Sequence, residues 1–236
     1  MIINLISGPR NVSTAVMYSF AQRSDTTVID EPLYAHYLYN TFVTHPGEEE
    51  VLATMNRNGQ EVLDRLITEG KNHPILFIKN MAHHYVKLRF ESLLEFKNII
   101  LTRDPRDMLP TLNRQLPKPI LRDTAYKRQW ELYNYLVNAG RDPLVIDARI
   151  FLEKPGEILT QICEKLNMVF DTKMLSWKKG PKSYDGIWAK HWYHSIHKSE
   201  GFNAYNKRDH EFPAELEKLY LECKTYYERI TINVLK

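Results

Sequence analysis

Cysteine and long apolar runs are both scarce in this sequence. Only two cysteines occur in 236 residues, Cys163 and Cys223, and each falls within a predicted helix. Cysteine use this sparse argues against a disulfide-stabilised secreted domain and is typical of a reducing compartment. No stretch approaches the ~20 apolar residues that span a bilayer, and the apolar run at the start is too short for a signal-peptide core. We therefore expect a cytoplasmic protein with no membrane partner.

A strong charge of either sign is missing as well. The 32 basic and 29 acidic side chains leave a formal net charge of +3. A nucleic-acid surface usually needs lysine and arginine clustered on one face, so this balance fits a pocket for an anionic ligand better. Hydrophobic residues make up 43% of the chain and charged residues 26%, which are ordinary globular values. We expect a single domain over residues 1–236 with no nucleic-acid partner.

What the sequence does contain is a series of short apolar runs separated by helical patterns. The first run, residues 2–6, is followed by a glycine turn and then by apolar residues at helical spacing. Further runs lie at Thr26–Asp30, 75–78, 98–101 and 144–146. Strands that alternate with helices predict a parallel sheet covered by helices on both faces. The predicted fold class is therefore α/β, in three α/β/α layers around a central parallel sheet of about five strands.

The segments between these runs carry the helix predictions. Helices are expected at 48–71, with an interruption near Asn58, and at 80–96, 124–139 and 213–235. Residues 34–72 and 177–202 are rich in aromatic side chains, and we expect them to form a lid or a substrate-binding wall. For the first part of 34–72, the alternative is a tyrosine-rich helix that packs on the sheet.

The turn after the first strand carries a phosphate-binding motif. It reads SGPRNVST and contains Gly8, Pro9, Arg10, Asn11, Val12, Ser13 and Thr14. Backbone N–H groups of such a turn and the positive end of the next helix bind an anion, and Arg10 adds a fixed positive fork. In the P-loop pattern G-x-x-x-x-G-K-[ST], Ser13 replaces the second glycine and Thr14 the lysine. The motif favours a P-loop NTPase-like fold but weakens the case for ATP or GTP. An ordinary strand–helix turn with a hydroxyl cap is the alternative.

Two segments together resemble motifs of sulfotransferases that use 3'-phosphoadenosine 5'-phosphosulfate (PAPS). Residues 7–14 resemble the 5'-phosphosulfate loop of that family. The second motif begins after the fourth strand with RDPRD and places Arg103 eight positions before the hydroxyl of Thr111. An arginine fork and a helix hydroxyl can both donate to a 3'-phosphate. The alternative is a helix start capped by Asp104 with Pro105 at its first position, which leaves Arg103 unexplained.

The resemblance extends more loosely to a basic loop near the end of the chain. Sulfotransferases place a basic, glycine-containing loop over the 3'-phosphate, and Lys178, Lys179 and Gly180 occupy about that place. The usual arginine-lysine-glycine order is not reproduced, and a solvated charged loop explains these lysines equally well. Trp188 and Trp192 are expected to wall the pocket.

The resemblance also implies an acid–base set at the ends of two strands. Glu31 follows the second strand, as the catalytic glutamate does in the bacterial trehalose sulfotransferase group, and is the first choice of base. His83 and His84 compete, because cytosolic small-molecule sulfotransferases carry a base histidine shortly after a strand-end lysine, here Lys79. Lys79 and Arg10 are expected to stabilise charge on the leaving phosphate. The alternative for Glu31 is a loop carboxylate that pairs with Arg10.

Together these residues predict an enzyme that moves a sulfuryl group from PAPS to a hydroxyl or amine of a small-molecule acceptor. The transfer is expected to be an in-line displacement that needs no metal. Two alternatives stay open: a P-loop kinase acting on a nucleoside or small metabolite, and a non-catalytic nucleotide-binding protein. Asp147, after the fifth strand, is the best candidate to hold the Mg²⁺ that a kinase would need.

Overall fold

The central sheet of the computed structural model is parallel, and the structure describes residues 1–206 and 211–236. The strands are Ile2–Ser7 (β1), Thr26–Asp30 (β2), Ile75–Met81 (β3), Lys97–Thr102 (β4) and Leu144–Asp147 (β5). They lie in the order β2-β3-β1-β4-β5, and each pairing between neighbours is parallel. The predicted fold class and the five predicted strands are confirmed.

Helices cover both faces of this sheet. The α-helices of the described residues are Ser13–Phe20 (α1), Tyr34–Thr41 (α2), Glu48–Thr54 (α3), Gly59–Glu69 (α4), Pro105–Gln115 (α5), Leu121–Thr124 (α6), Tyr126–Asn138 (α7), Ala148–Glu153 (α8), Pro155–Lys165 (α9), Ala189–Trp192 (α10) and Glu217–Ile230 (α11). Side chains of β1 alternate between two cores, because successive strand residues point to opposite faces. Ile3 and Leu5 pack with α1, α8 and α9, whereas Ile6 packs with α4, α7 and α11. The result is three layers.

The strand order brings the ends of β1 and β4 together. From β1 the chain runs to the edge strand β2, returns to β3 beside β1, and then crosses to β4 on the other side of β1. In open α/β sheets, ligands bind in the crevice outside the carboxyl ends of the strands at such a reversal. The loops that follow β1 and β4 are therefore neighbours, although they are far apart in sequence.

The predicted helix over 80–96 is wrong. The structure continues β3 to Met81 and then forms two short 3-10 turns, Ala82–His84 and Glu91–Glu95. Asn80 Nδ2 and the Tyr85 hydroxyl both donate to Asn4 Oδ1 of β1, at 3.0 and 3.2 Å. These bonds lie in the core, where the polar groups need partners. A buried amide on β1 thus holds the chain extended where apolar spacing alone favours a helix.

The other helix predictions agree with the structure. The 48–71 prediction is split into α3 and α4, and Asn58 Oδ1 caps α4 by accepting from the N–H groups of Gln60 and Glu61 at 3.2 and 3.4 Å. Cys163 and Cys223 are free and buried, in α9 and α11. Within residues 1–206 and 211–236, no helix is long and apolar enough to cross a membrane.

Candidate active site

The loop between β1 and α1 folds tightly against the end of β4. Asn11 is buried, and its Nδ2 donates to the Leu101 carbonyl at 3.2 Å. A Cβ on Gly8 would stand only 3.0 Å from Asn11 Nδ2, so a larger residue here would push the Asn11 side chain aside by a few tenths of an ångström. Arg10 and Val12 both adopt a left-handed backbone with φ of 60°. These two bends turn the loop into the start of α1.

The start of α1 lacks a side-chain cap. Val12 occupies the N-cap position and makes no side-chain cap hydrogen bond, so the first N–H groups of the helix have no partner from their own cap. These groups and the positive end of the helix attract negative charge. Residues 9–15, which include Ser13 and Thr14, line a cavity of about 950 Å³. The predicted phosphate loop therefore opens into a large cavity.

Arg103 leaves the end of β4 beside this loop. Its Nη1 donates to the Arg10 carbonyl at 2.9 Å, across 93 residues of sequence. The Arg103 carbonyl accepts a hydrogen bond from the Tyr126 hydroxyl at 2.7 Å. Arg10 and Arg103 both line the cavity. Two predicted phosphate-binding elements from different strands thus meet at one end of one cavity.

The capping interpretation of this motif also holds. Asp104 caps α5 by accepting from the Arg106 N–H at 2.8 Å, with Pro105 at the helix start, and this leaves Arg103 to the cavity. Thr111 is buried further along α5, where its Oγ1 lies 3.4 Å from the Asp107 carbonyl. Thr111 is not among the described residues that line the cavity.

Asp30, Glu31 and Lys79 form a buried charge cluster between the ends of β2 and β3. The parallel pairing places Asp30 opposite Lys79. Lys79 Nζ donates to Glu31 Oε1 at 2.5 Å, to Tyr193 Oη at 2.7 Å and to Asp30 Oδ1 at 3.0 Å. An ammonium group has three hydrogens, so these bonds use all of its donors. Glu31, Lys79 and Tyr193 line the cavity, and Glu31 is paired with Lys79.

The cluster changes the proton affinity of its members. Burial raises the pKa of Glu31, the attraction of Lys79 opposes this rise, and the charge of Asp30 adds to it. Burial alone would lower the pKa of Lys79, but the attraction of Asp30 and Glu31 outweighs it and raises that pKa well above its usual range. Lys79 therefore stays protonated, while Glu31 is more basic than an exposed carboxylate, as a general base needs to be.

His83 and His84 follow β3 and also line the cavity. His84 Nε2 lies 3.9 Å from Glu31 Oε2, and its ring stacks on Tyr34 and Tyr37 at centroid distances of 5.1 and 4.8 Å. Burial lowers the pKa of His83 to about 3 and that of His84 well below its usual range. Both rings are therefore neutral at pH 7, and neither adds a positive charge beside Glu31.

Sequence comparison identifies the family. A family model described as "Sulfotransferase domain" matches residues 1–214. The chain belongs to the sulfotransferase family. Two proteins of Arabidopsis thaliana, named branched-chain-amino-acid aminotransferase-like proteins 1 and 2, are 37% and 34% identical to this chain over 213 and 227 residues. These alignments cover 90% and 96% of this chain but 38% and 40% of the relatives, so the chain spans about two fifths of their length.

Solved structures of sulfotransferases share the fold. A sulfotransferase domain from the curacin biosynthetic pathway is similar at a TM-score of 0.56 and 15% identity, covering 99% of this sulfotransferase and 98% of that chain. A sulfotransferase from Alicyclobacillus acidocaldarius is similar at a TM-score of 0.58 and 13% identity, covering 97% and 93%. The same three-layer arrangement thus recurs at low sequence identity.

The predicted basic loop does not line the cavity. Lys178, Lys179 and Gly180 are not among the described residues that line it. Trp177 is buried in the core and fixes the start of this loop. Lys179 pairs with Glu200 at 3.1 Å and is 61% exposed. Lys178 is exposed as well, so neither lysine faces the cavity in this conformation.

Sequence reasoning missed two parts of the site. Residues 203–206, beyond the predicted segment 177–202, line the cavity, and the Tyr205 hydroxyl donates to Asp107 Oδ2 of α5 at 2.7 Å. Asp30 and Tyr193 complete the contacts of Lys79. Asp30 could have been predicted as part of the site, because it is an acidic residue at the end of a strand and directly precedes Glu31. Tyr193 is 163 residues from Asp30, and nothing local in the sequence marks it. Trp188 and Trp192 line the cavity, as expected.

Carboxylates near the strand ends are the side chains that could hold a metal ion. Within residues 1–206 and 211–236, no group of three or more His, Cys, Asp and Glu side chains is placed to hold a metal ion. Asp147, the candidate for Mg²⁺, caps α8 by accepting from the N–H groups of Arg149 and Ile150 at 2.8 and 3.2 Å. Its second oxygen accepts from the Tyr227 hydroxyl at 2.9 Å. The expectation that no metal takes part in the reaction stays a prediction.

Proposed function

We propose that this sulfotransferase uses PAPS and transfers its sulfuryl group to a hydroxyl or amine of a small molecule. The supporting observation is that the anion-binding loop, Arg103 and the Glu31–Lys79 pair all line one cavity. That arrangement offers two cationic or N–H-rich positions for phosphate and one base within the same enclosed space.

The residues present suit a donor with two phosphate groups. The uncapped start of α1 would hold the 5'-phosphosulfate, and Arg103 the 3'-phosphate. The guanidinium can present a bidentate fork to a phosphate, which an isolated lysine cannot. When bound, the donor supplies an activated sulfuryl group that an acceptor oxygen or nitrogen can displace. Arg10 and the N–H groups at the start of α1 supply the positive charge that such a displacement needs, whereas the hydrogens of Lys79 are taken by Asp30, Glu31 and Tyr193. We infer that no metal is required.

The two oxygens of Glu31 have different roles in this proposal. Oε1 accepts the hydrogen bond from Lys79, whereas Oε2 has the neutral ring of His84 at 3.9 Å. Oε2 is therefore the atom that takes the proton of the acceptor hydroxyl or amine. Lys79 keeps the carboxylate in place while this proton moves.

The acceptor is expected at the aromatic end of the cavity. Tyr34, Tyr37, Trp188 and Trp192 line this end, and the Trp188 ring packs edge-on against Tyr34 at 5.0 Å. Aromatic rings contact flat or partly apolar molecules over a large area at low conformational cost. A compact aromatic alcohol, an amine or a sugar that stacks on tyrosine fits this wall. We further infer a cytoplasmic protein, which the two free, buried cysteines support.

Calorimetry and a transfer assay test this proposal. We expect 3',5'-adenosine bisphosphate to bind in the presence of EDTA, and radiolabelled PAPS to transfer sulfate to at least one member of a broad acceptor panel. Binding of Mg·ATP without binding of the bisphosphate would instead favour a kinase. Bisphosphate binding without transfer to any acceptor would favour a non-catalytic nucleotide-binding protein.

A further inference from the structure

Asp30 is a buried acid for which the proposed chemistry has no direct use. Its side chain is 1% exposed, and Asp30 is not among the described residues that line the cavity. Oδ1 accepts from Lys79 Nζ at 3.0 Å. Oδ2 accepts from the Tyr193 hydroxyl at 2.7 Å and from the Gly186 N–H at 3.1 Å. An acid so enclosed cannot touch the acceptor, so its effect on the reaction must pass through its neighbours.

The charge of the cluster indicates what that effect is. Lys79 contributes one positive charge and Asp30 and Glu31 contribute two negative ones when both are ionised. With Glu31 and Lys79 alone, the buried pair would be neutral, and the nearby ammonium would make Glu31 a weak base. The second carboxylate on the same ammonium restores a net negative charge. Asp30 also accepts one of the three Lys79 hydrogens, which could otherwise form a second hydrogen bond to Glu31.

We propose that Asp30 is a positioning residue: by sharing the ammonium of Lys79, it leaves Glu31 enough negative potential to accept a proton. This inference rests on the proposed role of Glu31 as the base. The geometry that carries it is one Nζ atom bound to oxygens of both carboxylates, 2.5 and 3.0 Å away, in a cluster nearly closed to water. Water therefore screens these charges little.

Among the described residues, the other groups with a recorded contact or charge effect on Glu31 are uncharged. His84 from the turn after β3 is neutral, because burial lowers its pKa well below the usual range. Burial raises the pKa of Tyr34, from α2, and of Tyr193, from the segment after α10. Lys79 of β3 and Asp30 of β2 are thus the charged neighbours that set the proton affinity of Glu31. Removing the charge of Asp30 should therefore change the proton affinity of Glu31.

A purely structural role for Asp30 is the competing explanation. Its Oδ2 ties the segment around Gly186 and Tyr193 to the end of β2. Different substitutions distinguish this anchoring role from the effect of the charge. Tyr193→Phe removes the hydroxyl that contacts both Asp30 and Lys79 but leaves both of their charges, whereas Asp30→Asn removes the charge of Asp30 but keeps its shape. Asp30→Glu keeps the charge on a longer stem.

Direct titration of Glu31 is the main test. Protein with ¹³C at the glutamate carboxyl groups is titrated by NMR, and the resonance missing from Glu31→Gln identifies Glu31. We expect Asp30→Asn to lower the apparent pKa of Glu31 by at least about one pH unit, because two like charges on one buried ammonium repel strongly. Tyr193→Phe should move it by less than half as much, and Asp30→Glu should largely restore the wild-type value.

Asp147→Asn is the matched control. Asp147 is also a buried strand-end acid, but it lies on the opposite edge strand, four strand spacings or roughly 19 Å from β2. Its removal should leave the Glu31 titration unchanged. Far-UV circular dichroism confirms folding of each variant. An unchanged Glu31 titration in folded Asp30→Asn overturns the proposal, and so does an equal shift in Tyr193→Phe, because the anchoring would then explain the effect.

Kinetics give a second measurement once an acceptor is known. Asp30→Asn should move the acidic limb of the kcat/KM profile to lower pH by the same shift and reduce the plateau, because a weaker base transfers protons less well. An unmoved limb in the folded, active variant also overturns the proposal. The two proposals fail separately. A wild-type protein that transfers no sulfate defeats the proposed function, whereas the NMR titration still decides whether Asp30 controls Glu31.

Discussion

Replacing Glu31 by glutamine removes the proton acceptor and keeps the shape of the side chain. We expect turnover to fall roughly 10²–10⁴-fold, the usual contribution of a general base. Affinity for 3',5'-adenosine bisphosphate should hardly change, because the nucleotide is expected at residues 8–14 and Arg103. Steady-state kinetics and calorimetry on one preparation measure both. Glu91→Gln, an exposed change, is the control. Turnover at the wild-type level would move the base role to His83 or His84.

Arg103→Ala tests the other end of the cavity. Loss of a charged hydrogen-bond pair costs about 2–3 kcal/mol, so we expect the Kd for 3',5'-adenosine bisphosphate to rise by roughly 30- to 150-fold. Calorimetry measures this change.

Arg106→Ala is a matched control for that experiment. Arg106 lies three residues further on, but its guanidinium stacks over Tyr220 at 4.3 Å and pairs with Glu217 at 3.5 Å, on α11. Its loss should not affect nucleotide affinity. Equal affinities in the Arg103→Ala and wild-type proteins would remove Arg103 from the phosphate site.

At the scale of single residues, the sequence allowed a contact to be predicted where the two partners are close in the chain. Asp104 caps α5 as expected, because the cap, the proline and the helix are consecutive. The contacts of Lys79 were not predictable in full, since Tyr193 reaches it across 114 residues. The outward position of Lys179 was also not predictable, because it depends on the burial of Trp177 in a distant core.

At the scale of elements, the strands were predicted correctly, but the helix predicted over residues 80–96 does not form. Residues 75–78 of β3, for example, are buried on both faces of the sheet, and their sequence is therefore continuously apolar. The segment after it has apolar residues at helical spacing but forms 3-10 turns. Its conformation depends on hydrogen bonds to Asn4, a polar residue in the core of another strand. A pattern within one segment contains no information about such a partner.

The turn Ala82–His84 has a pH dependence that can be measured. Burial lowers the pKa of His83 to about 3, whereas an unfolded histidine titrates near 6.5. Below about pH 6.5 the unfolded chain binds a proton that the folded protein refuses, so the free energy of unfolding decreases as the pH falls. We expect this residue to cost about 1 to 2 kcal/mol by pH 5. Urea denaturation from pH 7 to pH 5 measures it.

His83→Gln isolates this effect, because glutamine does not titrate. The variant should lose less stability than the wild type over the same pH range, and Glu31 contributes equally to both. His73→Gln, before the start of β3, is the control and should follow the wild type. Parallel curves for His83→Gln and wild type would show that His83 accepts a proton in the folded protein without cost.

At the scale of the whole molecule, the cavity is lined by parts of the chain that lie far apart in sequence. The anion-binding loop follows β1, Arg103 follows β4, Glu31 follows β2, and residues 201–206 close the cavity near the end of the chain. Each strand was predictable, but their order was not, because sequence patterns do not give the neighbours in a sheet. The order β2-β3-β1-β4-β5 is what makes a binding site out of separate strand ends.

A ligand that contacts this loop, Arg103 and the late segment together should stabilise the whole fold. At a concentration of 3',5'-adenosine bisphosphate about 100 times its Kd, binding adds about 2.7 kcal/mol to the stability of the native state. For a chain of this size we expect Tm to rise by roughly 5–10 °C. Differential scanning fluorimetry in EDTA measures the shift. Arg103→Ala at the same nucleotide concentration should show a much smaller rise, and Arg106→Ala the full one. A Tm that responds to Mg·ATP but not to the bisphosphate would contradict the donor that we propose, and an equal response in the two arginine variants would place the nucleotide elsewhere.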